Sequence, residues 1–106
     1  MGPVVRMKTG FFETTPYRLK AGEAGLLLVP MGAGDAKRIV LAEQDILAVT
    51  LTERRLPELE IQTRDALYTG VLEPGYPFAD AVRYLKGRLH AKIICEYLGG
   101  EKNDDA

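Results

Sequence analysis

The chain has 106 residues, 46% of them hydrophobic and 27% charged, with 14 Lys and Arg against 15 Asp and Glu. This length suits one core in one domain, and the composition excludes intrinsic disorder. A net charge of −1 supplies no general field for nucleic acid or an anionic membrane.

Cys95 is the only cysteine, so no intrachain disulfide and no cysteine metal cluster can form, and a reducing cytoplasm is the expected setting. The first seventeen residues carry Arg6, Lys8 and Glu13 and read as no secretory signal. The longest uncharged run, residues 24–34, contains Pro30 and is far below the ~20 residues of a membrane helix.

Strand signals dominate the first 73 residues. Residues 17–20 alternate apolar with basic between turn-like Thr14-Thr15-Pro16 and Ala21-Gly22-Glu23. Residues 24–31 form a continuous apolar run, as in a strand covered on both faces or at a barrel seam. A glycine loop at 31–35 leads to a short strand at 37–41, then a polar turn at 42–45. Residues 46–53 are β-rich, with Leu47, Val49 and Leu51 expected on one face. The clearest alternation is Glu58-Leu59-Glu60-Ile61-Gln62-Thr63-Arg64, which turns Leu59, Ile61 and Thr63 inward. Residues 67–72 follow, with Leu67 and Val71 on one face. Short turns between these runs predict antiparallel hairpins.

Glu73-Pro74-Gly75-Tyr76-Pro77 ends the strand pattern, and the apolar period then changes from 2 to 3.6. Phe78, Val82, Leu85, Leu89 and Ile93, with Ala81 beside them, predict a long amphipathic helix from 78 to about 98. Gly99-Gly100 would stop it, leaving 99–106 as a disordered polar tail.

The expected fold is mainly β with one C-terminal helix. The chain resembles the pleckstrin-homology-like superfamily, in particular short bacterial PH-like and GRAM-like domains. The residues carrying the likeness are Glu23-Ala24-Gly25-Leu26-Leu27-Leu28-Val29-Pro30, the Leu41, Ile46 and Val49 pattern, Leu59 to Asp65, and the helix from Phe78. It covers roughly residues 17–98. It implies a bent antiparallel barrel of about seven strands capped by the helix. It also implies an anionic-headgroup or phospho-ligand site on a basic rim, for which Arg18, Lys20, Lys37 and Arg38 are the candidates. Lipid is the second reading, because Arg18 and Lys20 alternate with apolar residues as on a solvated strand face.

Catalytic constellations are hard to assemble here. The chain has one His, one Cys and no Ser, so a serine nucleophile is excluded. His90 reads as a solvated surface residue and Cys95 as a small apolar one. Glu58 and Glu60 occupy the water-facing positions of an alternating strand. Gly32-Ala33-Gly34 lacks the following helix that phosphate cradling needs. No metal, cofactor or nucleic acid is expected.

A second stripe runs along the predicted helix: Tyr84, Gly87, Ala91, Ile94 and Leu98, spaced 3, 4, 3 and 4 as in a helix–helix seam. The expectation is a non-catalytic binding or assembly module that self-associates or docks a protein through this face.

Overall fold

The computed structural model describes residues 2–9, 13–32, 34 and 36–96. Eight strands form one mixed sheet: β1 (Val4–Lys8), β2 (Thr14–Gly22), β3 (Gly25–Pro30), β4 (Ile39–Ala42), β5 (Ile46–Thr52), β6 (Glu58–Thr63), β7 (Leu67–Leu72) and β8 (Ile93–Glu96). One helix, α1 (Phe78–Lys86), lies between β7 and β8. The strand order is β4-β3-β2-β1-β7-β6-β5-β8. Neighbours pair antiparallel except β5 and β8, which run parallel.

One face of this sheet supplies the core. Val5, Leu19, Leu28, Val49, Leu51, Leu59 and Ile61 are fully buried there, and Phe78, Ala81, Val82 and Leu85 of α1 join the same cluster. Each such aliphatic side chain contributes roughly 1.5–3 kcal/mol through removal from water. The β6 alternation places Leu59, Ile61 and Thr63 inward, as its sequence predicts. Leu67 and Val71 do share a face, but it is the outer one: Leu67 is exposed, and Leu72 turns to the core.

Three expectations are corrected. Among the described residues the sheet is not closed into a barrel, and β4 and β8 are its two edges. In β5 the register with β6 shifts between Ile46 and Ala48. This bulge adds one residue and reverses the inside-outside phase, so Ile46 is buried while Leu47 is exposed.

The helix is nine residues, not a rod reaching residue 98. Gly87 is its C-cap, with its N–H donating to the Arg83 carbonyl at 3.0 Å. One more turn follows, in which the Leu89 N–H reaches the Leu85 carbonyl at 2.9 Å and buries Leu89. The chain then straightens into β8. Its residues pair with the open side of β5, Val49 with Ile93 and Leu51 with Cys95, which sends Ile93 and Cys95 toward the core. Gly87 weakens helix propagation, and Ile93-Ile94 favours a strand. The polar tail expected at 99–106 lies outside the described residues.

Candidate functional site

The β4 edge and the outer face beside it form the candidate site. The register aligns Lys20 of β2, Leu27 of β3 and Val40 of β4 in one cross-strand row. Their neighbours Leu19, Leu28 and Leu41 point to the core, so this row faces outward. Val40 is 73% exposed, unusual for a β-branched residue in the middle of a strand. Lys20 and Arg38 line a depression of ≈ 440 Å³ whose apolar part includes Leu27 and Val40.

Backbone geometry adds to this surface. The Glu43 N–H donates to the Ala24 carbonyl at 3.0 Å, which continues the β3–β4 ladder beyond Ala42. Antiparallel alternation therefore directs the polar groups of Ile39 and Leu41 toward β3. Those of Val40 and Ala42 point to the free edge. Gly25, with φ 135°, lets β3 and β4 approach closely there, because a Cβ would strike the Leu41 carbonyl. Another strand laid against β4 would find both hydrogen-bonding groups and an apolar side chain.

The four cations predicted from sequence divide. Lys20 and Arg38 share the depression just described, and Lys20 also borders a second one of ≈ 660 Å³ with Arg18, Val29, Met31 and Tyr84. Arg18 is half-buried and donates to the Gly2 carbonyl at 3.0 Å, so its guanidinium already serves the fold. Lys37 is exposed and lines neither depression.

The five-residue helical stripe does not form. Tyr84 lies in α1, Gly87 caps it, Ala91 is in a bend, and Ile94 is opposite Thr50 in β8. Leu98 lies outside the described residues. The 3-4-3-4 spacing requires a continuous helix, and the chain leaves helical geometry after the turn that ends at Leu89. Tyr84 instead turns inward: its hydroxyl accepts the Ala21 N–H at 3.0 Å, and the Arg88 guanidinium lies 4.2 Å from its ring centroid. Nearby, burial and then the charge of Asp80 push the Tyr76 phenol above its ordinary range, while Arg88 and Arg18 act in the opposite direction.

Among the described residues no three His, Cys, Asp or Glu side chains gather as metal ligands. His90 is exposed and Cys95 half-buried. No described helix is long and apolar enough to cross a membrane. Compared with known proteins, the chain matches no family model and no curated sequence.

Sequence reasoning found the cations of this face and missed the edge. The available signal was Lys37-Arg38 before and Glu43 after an uncharged stretch at 39–42. Which strand ends the sheet is a property of the strand order, which local sequence does not carry.

Proposed function

We propose that the protein is a non-catalytic cytoplasmic binding and assembly module, which engages a second copy or another protein through the β4 edge of its sheet. The observation that carries this reading is Val40, 73% exposed on a strand that has a neighbour on one side only among the described residues. Edge strands of this kind take extended chains through main-chain hydrogen bonds, with outward side chains adding selectivity. The single cysteine suits a reducing compartment.

The likeness to pleckstrin-homology-like domains is supported by the order of elements. Seven antiparallel strands open between β4 and β5, and a helix follows that packs on the core. The short helix and the added parallel β8 depart from what the likeness implies.

The reading is tested by measuring the mass of the full chain in solution and by affinity capture from native lysate, with Val40→Pro as the control. Self-association or a captured protein, lost in the variant, is the expected result. A monomer that retains no protein dependent on Val40 ends the reading.

A second reading, an anionic headgroup or phospho-ligand binder, is favoured by one observation: Lys20 and Arg38 line the same depression. Each well-placed cation near an anionic surface is worth only ~1 kcal/mol, so two give weak attraction. Co-sedimentation with phosphatidylserine vesicles at physiological salt is expected to be marginal. Tight binding lost on reversing Lys20 and Arg38 to Glu would promote this second reading.

A further inference from the structure

We propose that the occupant of the β4 edge is β4 of a second copy, running antiparallel about a two-fold axis through Val40. This rests on the docking reading above and specifies the partner.

The charges around β4 are self-complementary. Lys37 and Arg38 precede the uncharged strand, and Glu43 follows it. An antiparallel copy brings the basic end of one strand to the acidic end of the other, at both ends of the pair. A parallel copy would align like charges. Among the described residues none of Lys37, Arg38 and Glu43 forms an ion pair.

Hydrogen bonding and facing select the register. A two-fold axis normal to the sheet keeps both outer faces on one side, so outward Val40 must oppose an outward residue. Val40 and Ala42 carry the free edge groups. Val40 opposite Val40 lets each N–H donate to the other's carbonyl, and it sets Lys37 opposite Glu43 twice. The alternative register places Lys37 opposite Asp45, which already pairs with Arg64 at 3.6 Å. The exposed Val40 side chains then cover each other, beside Leu27.

A four-residue edge makes a small interface, so association is weak and visible only at high concentration. Sedimentation equilibrium of the full chain up to about 1 mM should show a monomer–dimer equilibrium. Val40→Pro removes an N–H that faces the edge rather than β3, and should leave a folded monomer. Lys37→Glu or Glu43→Lys alone should weaken the dimer roughly tenfold, since two symmetric contacts change from attraction to repulsion. Combining both reversals should restore it. This restoration decides the matter even if Val40→Pro impairs folding.

A dimer indifferent to all these changes overturns the β4 pairing and leaves an assembly module with another interface. A wild-type monomer at about 1 mM overturns it as well. If that monomer still captures a lysate protein through Val40, the docking reading survives with a different partner; if it captures none, both fall.

Discussion

The Tyr84 hydroxyl lies 3.0 Å from the Ala21 amide and accepts its hydrogen. The need for it comes from the sheet. β1 begins at Val4, opposite Arg18, and the Leu19 N–H is met by the Pro3 carbonyl at 2.9 Å. Beyond that point no described strand lies beside β2 on this side. The next amide on that side is Ala21, and a helical side chain supplies its acceptor. Tyr84 thus ties α1 to β2 by a directional contact in addition to the apolar packing of Leu85.

Tyr84→Phe should preserve the ring, its contact with Arg88 and the core, and remove only this acceptor. A cost of about 1 kcal/mol is expected, the usual net worth of such a bond. Urea unfolding reads the loss, and faster hydrogen exchange at the Ala21 amide localises it. Unchanged exchange there would show that the hydroxyl does not protect the amide.

Gly70 of β7 pairs with Met7 of β1. A Cβ there would sit 2.7 Å from the Arg6 carbonyl, from Met7 Sδ and from Val5 Cγ1. Gly70→Ala should therefore push β1 and β7 apart and destabilise by about 1–3 kcal/mol, despite the better strand propensity of Ala. Thermal unfolding checks this; a neutral result would mean that β1 yields easily.

The β5 bulge makes a paired prediction. Ile46 is 6% exposed and its neighbour Leu47 is 47% exposed. Ile46→Ala should cost about 2–5 kcal/mol. Leu47→Ala should stay within about 0.5 kcal/mol, as for other surface changes. Plain alternation through Leu47, Val49 and Leu51 demands the reverse ranking, so denaturant midpoints of the two variants distinguish them.

Tyr76 predicts an alkaline limb. Its phenol is held above its ordinary range, by burial first and by Asp80 second. The folded chain thus keeps this proton more tightly than the unfolded chain. The stability it contributes is fully present below the ordinary phenol value of about 10, and is lost as pH rises through the folded value. Unfolding free energy should fall with pH above about 10. Tyr76→Phe should flatten that slope, whatever it does to stability at neutral pH.

Strands whose two faces differ in polarity are legible from the order of residues alone. Leu59, Ile61 and Thr63 alternate with charged or amide side chains, and one register alone buries them. The start of α1 is legible too, because Phe78, Val82 and Leu85 recur at a helical period immediately after two prolines. Lys20 and Arg38 were legible as cations, though not as neighbours. Where the helix ends is set by long-range pairing. Ile93 fits the helical stripe after Leu85 and Leu89, and it also fits a strand with Cys95 two residues on, so local pattern supports both. The choice falls to β5, whose side away from β6 carries backbone groups that only the parallel β8 meets among the described residues. The Val49 N–H then donates to the Lys92 carbonyl at 2.9 Å, and two apolar side chains reach the core. A helix continued past Gly87 would satisfy its own backbone but leave β5 as a bare edge. The same long-range arrangement leaves β4 uncovered, and no stretch of sequence around Val40 states that it is the last strand of the sheet.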